Sequence, residues 1–403
     1  MKILNVLPEL NHGGVEMVVA ESSIALAAAG NEVFVLCAGG LMVDALIKQN
    51  VKLICLPIAK KNLTSLFQII KIIRLIKDIK PDIIHIHSRL PAWLIYTALK
   101  FIPKTQRPIT VATIHGLHSV NIYSAIVLKA DVVIAVSTAC FEYYHKHYLN
   151  KYPHKYLSNL ASENILNSDG LSTKKIHIFP LGVDTRQFTA IIDEHDTQIL
   201  EKLKALIPAY NPKTPILALV GRLSKIKGHT YLINLMSELN KQELTAYAII
   251  VGSADIKQQE YMAHLKQTII DKNLQNCIFF FGECAAMPAL FRQVDLTLSL
   301  SIKAESYGRI VLESLRAGTP VVGWDIGGIG ENLKAFYPTG LVKFDDQSAL
   351  TKKVKQALRL DKIKEESQQL SDSITLDCSE HHQHVLQLYQ TALDYKLEET
   401  SIN

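Results

Sequence analysis

The sequence predicts an α/β protein built from two doubly wound, parallel-sheet domains. Three observations predict it. Short β-branched runs without polar alternation recur along the whole chain, as strands covered on both faces require. Helix-like segments separate these runs, which gives a βαβ series. The series stops near residue 180 and restarts after residue 210, so the 403 residues divide into two cores.

KILNVL (2–7) reads as the first strand, and 15–29 as a helix that ends at Gly30. Strands follow at 33–37, 51–56, 82–87, 109–114 and 131–136. The polar segment 150–172 reads as an inserted loop or short helix. Pro180 and Gly182 punctuate FPLGVDTRQF (179–188) and mark the boundary between domains 1–183 and 184–378. The second series has strands at 216–221, 246–252, 277–282, 295–300 and 320–324. The last stretch, 379–403, is expected to form a helix that packs back on the first domain. Each half is thus Rossmann-like, and a cleft between the two is expected.

Hydrophobic residues make up 48% of the chain, enough for two cores. The net charge of +5 is uneven: residues 1–170 hold 17 Lys and Arg against 11 Asp and Glu, and the remainder holds 26 against 27. An anionic partner for the first half follows from that asymmetry. No aromatic-and-basic recognition motif accompanies it, so nucleic acid is not the expected partner. The six cysteines have no CxxC spacing, and most sit in apolar runs as buried free thiols. Pro8 interrupts the short N-terminal apolar run, which reads as a strand rather than a signal peptide. No stretch is long and apolar enough for a bilayer, so a cytoplasmic protein is expected.

Open α/β sheets bind ligands beyond the carboxyl ends of their strands. After the first strand, HGGVE (12–16) offers Gly13 and Gly14, either as a phosphate approach at a helix start or as a plain turn. The third glycine of a dinucleotide fingerprint is missing, and Ala38-Gly39-Gly40 stands where its acid belongs, which argues against a nicotinamide dehydrogenase. His115-Gly116 ends the strand ITVATI, and His115 either faces the ligand or fills core or surface. His85 and His87 share a strand face, but no third metal ligand has a fixed spacing to them. His381, His382 and His384 are expected on a solvated helix face. In GRLSKIKG (221–228), Arg222 and Lys227 suit a diphosphate by fork and point charge, or are solvated loop cations.

ESYGRIVLE (305–313) holds two carboxylates with seven residues between them. Gly308 lets the chain turn into a helix, so Glu305 stands before the helix and Glu313 about a turn and a half inside it. The amides of Tyr307, Gly308 and Arg309 then form an anion or hydroxyl site at the helix start. A carboxylate accepts two sugar hydroxyls, and the two acids can meet the two ends of a nucleotide sugar.

At this point the chain resembles the retaining glycosyltransferases of family 4, which have the two-domain fold called GT-B. The acids of ESYGRIVLE match the family signature, with Tyr307 in place of phenylalanine. LGVDTRQF, GRLSKIKG, HGGVE and IVLESLRAGTPVVGWDIGGIGE (310–331) match further motifs in family order. The resemblance implies that Arg222 and Lys227 hold the diphosphate and stabilise it as it leaves. It implies that Glu313 binds the ribose, and that Glu305 binds the donor sugar with the amides of 307–309. Gly13 and Gly14 would approach the phosphates, His115 would lie near the donor sugar, and 282–291 would line the base pocket. It implies no cofactor and no metal, a UDP- or GDP-linked hexose as donor, and a glycan or lipid-linked acceptor in lipopolysaccharide or other envelope-polysaccharide synthesis. A sugar-nucleotide epimerase shares the fold but needs more acids near the sugar. A non-catalytic binder would have lost the clamp or an acid, and both are present.

A peripheral place on the inner membrane is also expected. In 63–80, Thr64, Gln68, Lys71, Arg74 and Asp78 are read as one narrow polar stripe, and the apolar face is wider than one sheet requires. Trp93 and more cations stand in 89–104. Such surfaces attract anionic lipid, although both helices could simply pack on the sheet.

Overall fold

The computed structural model describes all residues except 12, 61–62, 150–175, 189–193, 254–257, 359–368 and 403. The readings of His12 and the segment 150–172 fall outside the described residues. The chain divides into two compact units. One comprises Met1–Leu181 with Cys378–Asn403, and the other comprises Gly182–Asp377.

The first unit holds a seven-stranded sheet, ordered β3-β2-β1-β4-β5-β6-β7 and parallel throughout. Its strands are β1 (Lys2–Val6), β2 (Glu32–Cys37), β3 (Lys52–Cys55), β4 (Ile83–Ile86), β5 (Ile109–Ile114), β6 (Val132–Ala135) and β7 (Ile176–Ile178). Every residue of β4, β5 and β6 is buried, which is why their sequences lack polar alternation. One sheet face packs Ile3, Val33, Ile83, Val111 and Ile134 against Val385, Leu388 and Tyr389 of the C-terminal helix, Cys378–Ile402.

The second unit holds a six-stranded parallel sheet, ordered β10-β9-β8-β11-β12-β13. Its strands are β8 (Ile216–Val220), β9 (Tyr247–Val251), β10 (Ile278–Gly282), β11 (Leu296–Ser299), β12 (Val321–Trp324) and β13 (Leu341–Val342). Leu217, Leu219, Leu298 and Trp324 from the sheet pack with Leu232, Leu235 and Met236 of the helix His229–Lys241. The fold is thus the expected pair of doubly wound parallel sheets, with β7 and β13 added as edge strands.

Three expectations need correction. His381 is buried, at 4% exposure, because the C-terminal helix turns this side chain into the first unit rather than to solvent. Gln68 is buried at 6% on the inner stripe of the helix Leu63–Ile79, with Ile72 and Ile76 one and two turns on, so it does not belong to a solvated polar stripe. The thiols are free as expected, but only Cys37, Cys140 and Cys378 are fully buried, and Cys55 is exposed.

Candidate functional site

In the second unit, the predicted donor residues gather beyond β8 and β11. Gly221 follows β8 with φ +145°, and a Cβ there would lie 2.8 Å from Lys227 Cε. The missing side chain makes room for the lysine to fold back over the strand end. Gly228 caps the next helix in the left-handed region, where a Cβ would collide with the Leu300 carbonyl oxygen at 1.9 Å. Lys227 Nζ then reaches Glu305 Oε1 at 2.6 Å. The same carboxylate oxygen accepts from the hydroxyl of Ser301, a residue 3% exposed.

This leaves useful capacity. The ammonium has three donors, and only one is engaged among the described residues. Glu305 Oε2 accepts from no described residue, while Oε1 holds both partners. Lys227 can therefore keep Glu305 oriented while offering N–H groups to an anion, and Glu305 can offer Oε2 to hydroxyls. Arg222 lies exposed in the loop after β8 and makes no hydrogen bond among the described residues.

The helix Arg309–Arg316 begins at Gly308, with φ +71° and no side-chain cap. Glycines 327 and 328 pack beneath this start. The Gly328 amide donates to the Glu305 carbonyl at 2.8 Å, and a Cβ at 328 would stand 2.4 Å from the Tyr307 carbonyl carbon. Asn332, buried at 5%, donates from Nδ2 to the Tyr307 carbonyl at 2.5 Å and the Gly308 carbonyl at 3.4 Å. The Tyr307 hydroxyl accepts from the Gly182 amide at 2.8 Å, and burial raises its pKa. Tyr307 is thus a structural anchor on its ring side, and its neighbours aim the helix start. Inside the helix, Arg309 Nε donates to Glu313 Oε1 at 2.5 Å. The sequence points to the Arg309 amide alone, whereas in the structure its side chain orients the second acid. The i, i+4 spacing of an Arg and a Glu was the available signal.

In the first unit, residues of one parity on β1, β4 and β5 share a face: Asn5, His85, His87, Thr113 and His115. Their hydrogen bonds fix an order of protons. Asn5 Nδ2 donates to Ser23 Oγ at 2.9 Å, which turns Asn5 Oδ1 toward His87 Nε2 at 3.4 Å. His87 therefore donates from Nε2 and accepts at Nδ1, where His115 Nε2 approaches to 3.0 Å. His115 carries its proton on Nε2 and its lone pair on Nδ1. His85 bridges the Tyr389 hydroxyl at 2.5 Å and Thr113 Oγ1 at 2.7 Å.

Burial keeps these rings neutral. It holds His85 and His87 well below the usual range, and puts His115 at about 3 with help from nearby His381 and His118. His381 sits at about 4, chiefly through burial. Three tyrosines, missed from the sequence, brace the loop after β5. Tyr144 donates to the Gly116 carbonyl, Tyr143 to that of His118, and Tyr148 to those of His118 and Ser119. His85 and His87 are committed to this network, and no metal-binding group of three His, Cys, Asp or Glu occurs among the described residues.

At the first helix, Gly13 is the N-cap and Gly14 the first helical residue. A Cβ on Gly13 would meet Glu16 Oε2 at 2.3 Å, so the chain's own carboxylate already lies at this helix start. Nothing lies within 4 Å of a Cβ on Gly14, which leaves open space there.

Sequence comparison finds a family match in each unit. Residues 206–374 match the family described as glycosyl transferases group 1, and residues 12–153 match glycosyltransferase family 4. The chain belongs to the family 4 glycosyltransferases. Among curated relatives, the mannosylfructose-phosphate synthase of Agrobacterium fabrum is 28% identical over 41% of this chain and 36% of its own length. The lipopolysaccharide core mannosyltransferase LpsB of Rhizobium meliloti is 27% identical over 37% of this chain and 40% of its own. The chain thus spans less than half the length of these relatives. Among solved structures, a glycosyltransferase from Rickettsia africae aligns over 97% of this chain and 98% of its own, at a TM-score of 0.78 and 24% identity. The Anabaena HepE structure with UDP and glucose aligns over 97% and 100%, at 0.75 and 18%. At these identities the structures establish the shared fold. For this glycosyltransferase they place both parallel sheets within a known architecture.

Proposed function

We propose that the protein transfers a hexose from a UDP- or GDP-linked donor to a glycan or lipid-linked acceptor, with retention, in envelope-polysaccharide synthesis such as that of lipopolysaccharide. The observation that carries this reading is the Lys227–Glu305 pair at 2.6 Å, with Oε2 of the acid and two ammonium donors uncommitted among the described residues. Lys227 and Arg222 would hold the diphosphate and neutralise it as it leaves. Glu305 and the helix start at 307–309 would hold the donor sugar, Glu313 the ribose, and Gly13 and Gly14 the phosphates. Neutral His115 would contact the sugar as a hydrogen-bonding group rather than as a cation. The reaction as proposed needs no metal, since lysine, arginine and helix dipole supply the positive field. The named relatives that act in lipopolysaccharide core synthesis support the acceptor class.

The deciding experiment incubates the protein with UDP- and GDP-hexoses, with and without a bacterial lipid-linked glycan fraction and with chelator present. Acceptor-dependent release of nucleoside diphosphate and an unchanged anomeric configuration are expected. A donor at about a hundred times its dissociation constant should add roughly 2.7 kcal/mol to stability. No stabilisation by any nucleotide and no release would overturn the reading.

A peripheral membrane position is part of the same proposal. No described helix is long and apolar enough to cross a membrane. The helix Leu63–Ile79 nevertheless exposes Phe67 and Ile70, at 70% and 57%, beside exposed Lys71, Arg74 and Lys77. An apolar pair next to a basic row suits the headgroup layer of an anionic bilayer. Sedimentation with phosphatidylglycerol vesicles, falling with salt and with Lys71, Arg74 and Lys77 changed to Gln, is expected; equal recovery with neutral vesicles counts against it.

A further inference from the structure

A second concentration of positive charge lies at the opposite end of the first sheet. Ile109 and Val132 begin β5 and β6, and with Thr110 they line a cavity of about 530 Å³. His115 follows the other end of β5. Five cations surround the cavity: Lys100, Lys104, Arg107, Lys129 and Lys396. Asp131 is the one carboxylate among the lining residues. Its Oδ2 already accepts from the Thr110 amide at 2.8 Å and the Thr110 hydroxyl at 2.7 Å. Lys100, Lys104, Arg107 and Lys129 form no ion pair with any described residue. Like charges gathered round one cavity repel, and an anion placed among them relieves that cost.

Two details go beyond a solvated charge cluster. Arg107 Nε donates to the Ile102 carbonyl at 2.8 Å, and Lys396 Nζ donates to the Arg107 carbonyl, so Arg107 is held from both sides. Its remaining guanidinium donors form a preset fork. Tyr96, 7% exposed, lines the same cavity, and its buried hydroxyl lies near the Thr110 side chain without a well-formed hydrogen bond among the described residues. Lys129 Nζ lies 5.4 Å from the centre of its ring. A buried hydroxyl without a partner is costly, and a ligand oxygen would supply one.

We infer that this cavity is a binding site for a phosphate group, separate from the donor residues of the second unit. The phosphate belongs either to a small soluble phosphate ester or to a phospholipid headgroup, since Phe101, 65% exposed, follows Lys100 and offers an apolar neighbour.

The test uses the full chain carrying both Arg222→Ala and Lys227→Ala, so that pyrophosphate cannot report on the donor clamp. Inorganic pyrophosphate is titrated against a chloride control of matched ionic strength and followed by thermal shift. Saturable stabilisation is expected. Lys100→Gln with Lys129→Gln should weaken it on the order of tenfold or more. Asp131→Asn, which keeps an acceptor for Thr110, should tighten it, a change of sign that a purely structural aspartate does not give. Tyr96→Phe should weaken it without lowering the melting temperature of the free protein. Phosphatidylglycerol vesicles form the second arm: binding that pyrophosphate displaces, and that the double Gln variant loses, assigns the phosphate to a lipid. Equal responses of parent and double Gln variant in both arms overturn the inference. Because the clamp is already removed, that result leaves the proposed transfer reaction untouched.

Discussion

The two units prepare their strand ends for chemistry in opposite ways. Beyond β4 and β5, the first unit sets a chain of neutral imidazoles, hydrogen-bonded Ser23–Asn5–His87–His115. Beyond β8 and β11, the second unit sets ion pairs, Lys227–Glu305 and Arg309–Glu313, on a backbone kept thin by glycine. The first arrangement orders direction: which nitrogen donates and which accepts. The second orders charge. A transferase that must release a diphosphate needs its field where the phosphates sit, and a neutral contact where a sugar hydroxyl sits.

The largest expected break between the units is acid. His85, His87 and His381 are buried and held below their unfolded pKa of about 6.5, the last at about 4. Their neutral state is what folding requires. The unfolded chain binds protons first as pH falls, so stability is full above about 6.5 and is lost between about 6.5 and 4. Each such histidine contributes up to about 1.4 kcal/mol per pH unit across that window. In the second unit His229, at about 4, is the one histidine with a resolved shift among the described residues. Hydrogen exchange followed from pH 7 to pH 5 should therefore show the first unit opening earlier and more steeply. Parallel opening of both units would show that the imidazole chain is not what sets acid stability.

Next comes the charge itself. Lys227→Ala should lower turnover on the order of a hundredfold or more, and Arg222→Ala similarly, while the melting temperature changes little. The cations are on loops rather than in a core. Glu305→Gln should depress turnover more than nucleotide affinity, and Glu313→Gln should mainly weaken nucleotide binding. Steady-state kinetics beside calorimetry with free nucleoside diphosphate separate the two. Unaltered diphosphate binding in both acid variants would remove Glu313 from the ribose.

Much of this contrast was legible in the sequence, and the reason is spacing along one segment. Glu305, Gly308 and Glu313 lie within nine residues, so local geometry places them with little help from the rest of the chain. Eleven strands were readable because burial on both faces leaves most of them almost purely apolar, and β3, exposed at both ends, still keeps an apolar middle. β7 and β13, three and two residues long, are too short to leave a pattern. Partners brought from afar were not legible. Asn332 reaches the turn at 307–308 from the following helix, and Ser301 looks like any loop serine until it meets Glu305. Histidines at 381–384 read as surface residues, because nothing local says that His381 is the one turned inward.

The imidazole chain predicts a smaller effect with a distinctive signature. His87→Gln or Asn5→Leu leaves His115 in place but removes the group that dictates its tautomer. Turnover should fall on the order of tenfold, within the range for a positioned polar group. Long-range nitrogen–proton NMR should show His115 protonated on Nε2 in the parent and mixed between its two nitrogens in the variants. Asn5→Asp, which keeps an acceptor toward His87, should hold the parent tautomer. A parent His115 protonated on Nδ1 would refute the assigned order of protons.

The smallest expected effect tests where the first unit meets phosphate. Gly14 starts a helix without a positive φ, and a Cβ there has nothing within 4 Å. Alanine is the better helix former by up to about 1 kcal/mol, so Gly14→Ala should fold as well as the parent or slightly better. A methyl group there would still occupy the space through which a phosphate approaches the backbone amides. The KM for the donor should rise a few-fold to about tenfold, with kcat nearly unchanged, as loss of uniform binding requires. Gly328→Ala is the counterpart in the second unit. Its Cβ would stand 2.4 Å from the Tyr307 carbonyl carbon, so its main effect should be a lower melting temperature. If Gly14→Ala instead raises stability and leaves KM alone, the glycine serves the turn only. The phosphates would then rest on the cations and helix start of the second unit, with Glu16 remaining the carboxylate in the first turn of the first helix.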